Sequence, residues 1–223
     1  MKKRILSLAL SAAMALTMLP TGAFAASDKG KPPVYNKATG CYEISTPDQL
    51  LYLSGSWRDG APRDGHYVLT ADIDMTGVKG FKPIASKKDQ GFTGTFDGQF
   101  HAIKGLRVEY EKKYAGLFGY VGNQDDQAYI KDVALLDCYV TGQQNVGALA
   151  GVNYGTITGC VVTGEVKCLD LSNSHTAGGI CGKLKEGEGP IVGHVEDCYI
   201  NADVSAPYDA GGVAGIQDGG GYL

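Results

Sequence analysis

The six cysteines of this 223-residue chain offer the most readily named chemistry. They are Cys41, Cys138, Cys160, Cys168, Cys181 and Cys198. An even number of thiols admits disulfides in an oxidising compartment, but the sequence leaves their disulfide state open. Cys138, Cys160 and Cys198 align at one position of an internal repeat where Leu106 is the equivalent, so a ladder of buried free thiols is favoured. No C-x-x-C pair occurs, and the sequence predicts no metal site.

Acidic residues and histidines give weaker signals. Asp72 and Asp74 lie on one side of a predicted strand, as an acid–base pair or a calcium site requires, but a strand ending in a turn at Thr76-Gly77 is the favoured explanation. Asp125-Asp126 lie in a polar insertion without the ligand spacing of a calcium loop. The four histidines are scattered, and no hydrolase motif occurs. The sequence therefore predicts no catalytic residue and no cofactor, and it argues against an enzyme.

Tyrosines are the remaining candidates for ligand contact. Aromatic faces bind both sugars and proteins, and the chain has 13 tyrosines. Strand alternation places Tyr120, Tyr139 and Tyr199 on outward-facing positions. These three residues are the predicted binding residues, although an outward tyrosine is also ordinary on a β surface.

The amino terminus has the pattern of an export signal. Lys2-Lys3-Arg4 precedes an uncharged apolar run from Ile5 to Leu19, and Ala23-Phe24-Ala25 matches a cleavage site. We expect a signal peptide over residues 1–25, cleaved after Ala25, and a linker over 26–40. The apolar run is too short to span a bilayer, so no membrane span is expected after cleavage. The net charge of −4 argues against a nucleic-acid partner.

The rest of the chain contains an internal repeat. Four glycine-rich segments align without gaps: Tyr114-AGLFG, Val146-GALAG, Ala177-GGICG and Ala210-GGVAG. Their last glycines are Gly119, Gly151, Gly182 and Gly215. Each segment has an inward aliphatic residue two positions before that glycine, and the alternation has a period of two. Short parallel strands with a corner at Thr158-Gly159 follow from this pattern, stacked so that the apolar columns are buried.

Residues 41–91 differ from the repeats and are predicted to form an N-terminal cap. Thr46 is placed as the N-cap of a short helix, with Pro47 at its first position and Gln49 closing a capping box. Residues 92–223 are predicted to form the repeats, the last of which is truncated, so the chain is expected to be a fragment or a domain of something longer.

The segments Ala177-GGICG and Val146-GALAGVNYGTITGCVVTGEV resemble the GLUG repeat of bacterial secreted and cell-surface proteins. This resemblance implies an all-β fold, a right-handed parallel β-helix (solenoid) with the short helical cap, and an adhesin-like protein at the cell surface. Related proteins include bacterial immunoglobulin A proteases in which such repeats lie outside the catalytic part. The resemblance brings no catalytic residues with it.

Three functions follow as hypotheses. The first is an exported, non-catalytic module for adhesion or surface binding, with a host or surface glycan or protein as its partner. The second is the non-catalytic stalk of a larger secreted enzyme such as a bacterial protease. The third is a polysaccharide-cleaving β-helix, although no outward column combines the acids and basic residues that this chemistry requires.

Overall fold

The structure is a computed structural model that describes residues 30–55, 61–171, 175–187 and 191–223. The predicted signal peptide and its cleavage site lie outside these residues. The strands are β1 Val34–Asn36, β2 Cys41–Ile44, β3 His66–Leu69, β4 Ile73–Asp74, β5 Thr95–Asp97, β6 Ala102–Lys104, β7 Arg107–Ala115, β8 Phe118–Val121, β9 Tyr129–Lys131, β10 Ala134–Gly147, β11 Ala150–Asn153, β12 Thr156–Thr158, β13 Val161–Cys168, β14 Thr176–Gly178, β15 Cys181–Lys185, β16 His194–Glu196, β17 Tyr199–Ser205, β18 Asp209–Gly211 and β19 Ala214–Asp218. The α-helix of the described part is α1 Pro47–Leu53.

Three sheets contain these strands. The seven-stranded sheet has the order β1-β2-β3-β5-β9-β12-β16, and the four-stranded sheet has the order β19-β15-β11-β8. The eight-stranded sheet runs β17-β13-β10-β14-β18, with β6 and β7 also pairing with β10 and β4 pairing with β6. The strand pairs are parallel except for β1 and β2, which form an antiparallel hairpin.

The prediction of an all-β right-handed parallel β-helix, a regular solenoid with a helical cap, is wrong. The chain has a mostly β, multi-sheet fold of parallel and mixed sheets with one α-helix in its described part. Two features explain the difference. Strand length varies from 2 to 14 residues, and the 14-residue β10 branches its sheet by pairing with several partners. Parallel pairing also begins well before residue 92, because β2 pairs with β3 and β3 with β5.

The predicted apolar columns form the core. Leu117, Leu149 and Ile180 are fully buried in one cluster, and Val213 packs against it while remaining partly exposed. The helix contributes Leu50, Leu51 and Leu53 to that same cluster. The inward side chains of all three sheets belong to it as well. Burial of this shared apolar surface is the main favourable contribution to folding.

The glycine register of the repeat is confirmed. In the four-stranded sheet Ala150 pairs with Phe118 and Cys181, and Cys181 pairs with Ala214. The glycine that follows each of these residues therefore occupies one column: Gly119, Gly151, Gly182 and Gly215. One repeat of the sequence therefore leads from one strand of this sheet to the equivalent position on the neighbouring strand.

The corner predicted at Thr158-Gly159 is also confirmed. Thr158 is in register with Lys131 and Glu196, and the next residues, Asp132, Gly159 and Asp197, have φ values of 54, 64 and 51°. Glycine has no penalty in this left-handed conformation, and aspartate tolerates it better than most residues. One kind of backbone corner is therefore repeated in three successive layers.

The predicted ladder of three cysteines is wrong in its register. Val161 pairs with Ala134 and Tyr199, which places Cys160 beside Val133 and Cys198. Cys138 lies instead in register with Gly164, and its neighbour on the other side is Leu106. All six thiols are free, including the three of the predicted ladder, but of those three only Cys160 and Cys198 are neighbours.

The helix start is confirmed in detail. The backbone N–H of Gln49 donates to Thr46 Oγ1 at 3.3 Å, and the Thr46 N–H donates to Gln49 Oε1 at 3.2 Å. Pro47 occupies the first turn, where its missing N–H costs nothing. These reciprocal bonds satisfy two donors that a helix end leaves free.

Replacing Thr46 with alanine should lower the free energy of unfolding by about 1 kcal/mol, because the N-cap acceptor is lost. Urea denaturation followed by far-ultraviolet circular dichroism measures this change. Thr39→Ala, at an exposed turn, is the matched control and should leave the midpoint unchanged. Equal midpoints for the two variants would contradict a stabilising cap.

Candidate functional site

The three predicted binding tyrosines lie in different places. Tyr120 is on the four-stranded sheet, whereas Tyr139 and Tyr199 are on the eight-stranded sheet, in different columns. The ring of Tyr139 is covered by Arg107, whose guanidinium carbon lies 4.1 Å from the ring centroid. Tyr199 is 41% exposed on the outermost strand β17. The structure does not bring the three rings together into one site.

Tyr120 points away from the main core, but it is only 3% exposed. It forms a separate cluster with Val152 and Tyr154, and Tyr114 and Ile191 pack on this cluster. The Tyr114 and Tyr120 ring centroids are 4.7 Å apart. Tyr120 therefore does not offer its ring to a ligand, and it supports a second apolar layer on the outside of the sheet.

A polar groove lies at the edge of this tyrosine cluster. We call it the loop groove; its volume is about 290 Å³, and its lining residues are Arg63, Lys88, Asp89, Asn123, Gln124, Asp125, Asp126 and Tyr154. Tyr154 connects the groove to the buried cluster. The other lining residues come from three separate stretches of chain, which the stacked strands bring together.

The loop that supplies half of the lining is ordered by Asn123. Its Oδ1 accepts from the N–H groups of Asp125 and Asp126 at 2.7 and 2.8 Å, and its Nδ2 donates to Asp126 Oδ2 at 3.1 Å. The Asn123 N–H donates to the carbonyl of Asp126 at 2.9 Å. An asparagine that bonds its own following backbone closes a turn. The loop thus holds its carboxylates in fixed positions.

The remaining charged residues of the lining are Arg63, Lys88 and Asp89. Arg63 Nη1 donates to the carbonyl of Asp89 at 3.4 Å, and the Thr93 N–H donates to the Arg63 carbonyl at 2.9 Å. The residues Lys88 and Asp89 lie in a short 3-10 turn. Both basic side chains are exposed, so this part of the groove contributes two cationic donors beside the carboxylate of Asp89.

A second polar insertion lies beside the loop. A Cβ atom added at Gly187 would lie 2.8 Å from the carbonyl oxygen of Gln124. The segment that contains Gly187 is therefore a neighbour of the Asn123 loop, as the insertions of a repeat protein often are. Next to them, Lys183 and Lys185 flank Asp218 at 3.0 and 2.6 Å. Hydrogen bonds from these two lysines lower the pKa of Asp218 to about 2, so it stays ionised throughout the physiological range.

The tyrosines beneath the groove stay protonated. Burial raises the pKa of both Tyr120 and Tyr154, and for Tyr120 the hydrogen bond with Tyr114 raises it further. A protonated phenol both donates and accepts a hydrogen bond. The groove therefore combines phenol, guanidinium, ammonium, carboxamide and carboxylate groups, a set suited to a ligand that both donates and accepts.

The described residues that line the groove carry charged, carboxamide and phenol groups. Among them there is no histidine, cysteine or serine to act as nucleophile or proton shuttle. Within the described ranges, no three histidine, cysteine, aspartate or glutamate side chains are grouped to hold a metal ion. The arrangement supports binding by hydrogen bonds and charge.

Asp72 and Asp74 have structural roles. Asp72 Oδ1 accepts from the Ala102 N–H at 2.9 Å and lies 3.1 Å from His101 Nδ1. Asp74 Oδ1 accepts from the Thr76 N–H at 2.9 Å and closes the predicted turn. The two carboxylates are committed to different backbone groups, so they do not act as an acid–base pair.

Half of the residues that line the groove were not identifiable from the sequence. The polar insertion at Gly122-NQDDQ was a visible signal, because it interrupts a repeat, and it supplies four lining residues. Arg63, Lys88 and Asp89 had no such signal. They lie more than 30 residues before the loop and reach it only through the stacking of strands.

The chain is similar to parts of much larger proteins. It is 32% identical over 151 residues to halomucin of Haloquadratum walsbyi, a match that covers 63% of this chain and 2% of halomucin. It is 33% identical over 101 residues to a "putative Gly-rich membrane protein" of Evansella cellulosilytica, covering 41% of this chain and 11% of that protein. The chain thus spans only a small part of the length of these relatives.

A solved structure shares the fold. The crystal structure of a "putative immunoglobulin A1 protease" from Bacteroides ovatus superposes with a TM-score of 0.67 at 26% identity, over 82% of this chain and 54% of that one. No family model matches the sequence. Among the described residues, no helix has the length and apolar character needed to cross a membrane.

Proposed function

We propose that this chain is an exported, non-catalytic module of a cell-surface protein, and that it binds a surface glycan or protein through the loop groove. The loop groove is the observation that carries this proposal. Its polar groups converge from three stretches of chain, and its loop is held by the Asn123 turn. Fixed donors and acceptors lower the entropy that binding would otherwise cost.

A glycan suits this groove better than an apolar ligand. Sugar hydroxyls both donate and accept hydrogen bonds, which matches the mixture of guanidinium, carboxamide and carboxylate groups in the lining. The two similar proteins whose names refer to a mucin and to a membrane protein support a location at the cell surface. The GLUG character of the repeat is part of the same proposal, and the register of its glycine column supports it.

A second function is favoured by one observation. The solved structure with a similar fold is described as a "putative immunoglobulin A1 protease", and the match covers about half of it. We propose as the alternative that the chain is a non-catalytic stalk in a larger secreted enzyme. In that case the loop groove would have no ligand of its own.

Replacing Arg63 with alanine should weaken glycan binding at least about tenfold, because a hydrogen bond from a charged donor contributes roughly 1.5–3 kcal/mol. The experiment is a glycan-array and host-matrix screen of the purified chain, followed by titration of each hit by calorimetry. Circular dichroism confirms that the variant is folded.

Arg107→Ala is the matched control, since Arg107 is also an exposed arginine but lies in β7 of the eight-stranded sheet, stacked on Tyr139. It should bind like the parent chain. Binding that is lost in Arg107→Ala and kept in Arg63→Ala would place the site on the surface around Arg107 and Tyr139 instead of in the loop groove. A folded chain that binds neither glycans nor matrix proteins would favour the stalk.

A further inference from the structure

Cys160 and Cys198 lie side by side in neighbouring layers of the fold. The residues that follow them, Val161 and Tyr199, are register partners in β13 and β17. The Tyr199 N–H donates to the carbonyl of Cys160 at 2.8 Å. Each thiol donates to a backbone carbonyl close to it, Cys160 Sγ to Thr158 at 3.3 Å and Cys198 Sγ to Glu196 at 3.2 Å.

The backbone spacing is compatible with a covalent bond between the two. Neighbouring strands are about 4.8 Å apart, which lies within the Cα separation of about 4.4–6.8 Å seen in disulfides. The Cβ atoms must approach to about 3.8 Å. β17 is the outermost strand of its sheet in the described part of the chain, so the segment that contains Cys198 has a neighbouring strand of this sheet on one side only.

The two thiols differ in reactivity. Cys160 is buried, whereas Cys198 is half-buried and accessible to a small reagent. The neighbouring Cys160 thiol lowers the pKa of Cys198, whereas the interaction with Cys198 and burial raise the pKa of Cys160. The thiolate is the form that attacks a disulfide, so Cys198 is the thiol that reacts first.

We propose that Cys160 and Cys198 form an oxidisable thiol pair that closes to an intramolecular disulfide when the chain meets a small-molecule disulfide. Cys198 attacks one sulfur of glutathione disulfide, forming a mixed disulfide and releasing one glutathione thiolate. Cys160 then attacks the Cys198 sulfur and releases the second glutathione. The two cysteines lose two electrons and two protons, and the glutathione disulfide is reduced to two glutathiones.

The other thiols lack such a partner in the adjacent strands. Cys138 lies beside Leu106 and Gly164, and Cys181 lies between Ala150 and Ala214. Burial raises the pKa of both Cys138 and Cys181 to about 12, which keeps them protonated and slow to react. Cys41 is half-buried, and its thiol lies 3.5 Å from the carbonyl of Thr39.

The test is to incubate the fully reduced, folded chain with glutathione disulfide, block the remaining thiols with N-ethylmaleimide, and measure intact mass and cross-linked peptides. We expect four blocked thiols instead of six and one cross-link between Cys160 and Cys198. The variant C138S should form the same cross-link. The variant C160S should stop at a mixed disulfide that retains one glutathione on Cys198.

Circular dichroism and near-ultraviolet fluorescence show that each variant is folded before oxidation. Six blocked thiols in the folded parent chain would overturn the proposal. A cross-link of Cys198 to Cys181, or a mixed disulfide at Cys41 in place of the cross-link, would overturn it as well. If C160S does not fold, the parent chain and C138S still decide the outcome, because the cross-link is read directly by mass.

Discussion

Replacing Leu149 with aspartate is expected to abolish folding of this chain. Leu149 is 0% exposed and lies at the centre of the inward column that includes Leu117 and Ile180. Removing a buried leucine side chain costs roughly 2–5 kcal/mol, and an unpaired buried carboxylate adds several kcal/mol. Domains of this size have a total stability of about 5–15 kcal/mol, so the combined cost consumes most or all of it. Loss of the β signal in circular dichroism and of a cooperative melt measures the effect.

Leu171→Asp is the matched control for this substitution. Leu171 is 80% exposed, so the same chemical change there removes almost no packing and leaves the new charge in water. The free energy of unfolding should change by less than about 0.5 kcal/mol. Leu117→Asp, in the neighbouring layer of the column, should unfold the chain as Leu149→Asp does. A native spectrum and melt for either core variant would show that the inward register is wrong.

The features predictable from the sequence were the local ones. The alternation around Leu117 and Leu149 fixes which side of a strand is apolar, and the capping box at Thr46 is written in four consecutive residues. Gly159 marks a corner because a left-handed backbone favours glycine. Each of these signals depends on residues within a few positions of one another.

The register of the cysteines was not predictable, and the reason is visible in the corners. Gly105 and Gly159 both have φ values near 65°, so the segments Ile103-Lys-Gly-Leu106 and Ile157-Thr-Gly-Cys160 look like one template. The structure places them at two different corners, because Cys138 aligns with Leu106 and Cys160 aligns with Val133. Two corners with the same backbone requirement leave the same sequence pattern.

The fold class and the groove required long-range information. Strand alternation shows that Tyr120 points outward, but it does not show that Tyr114 and Ile191 cover it. The branching of β10 among four partners likewise depends on how strands meet after folding. Arg63 and Asp126 are 63 positions apart in the chain numbering and line the same groove only after the chain has folded, so the composition of the loop groove follows from topology.

The glycine column has a physical cause that the alignment alone did not give. At each of these positions the Cα faces the backbone of a neighbouring segment of the fold. An added Cβ at Gly151 would lie 2.6 Å from the Cα of Tyr114, and one at Gly182 would lie 2.7 Å from the Cα of Asn145. Tyr114 and Asn145 are themselves corner residues with φ values of 67 and 44°. Glycine is required because the backbone of the four-stranded sheet approaches these corner residues too closely to leave room for a Cβ atom.

Replacing Gly182 with alanine should therefore lower the free energy of unfolding by about 3 kcal/mol, the upper part of the range for overpacking. The methyl group meets backbone atoms of Asn145 and Val146, which cannot rotate away as a side chain would. Gly212→Ala is the matched control, since nothing lies within 4 Å of a Cβ there, and its stability should equal that of the parent chain. Urea midpoints of the two variants measure the difference. Equal midpoints would show that the two backbones do not approach as closely as the register requires, whereas a selective loss at Gly182 would tie the repeat period to this contact.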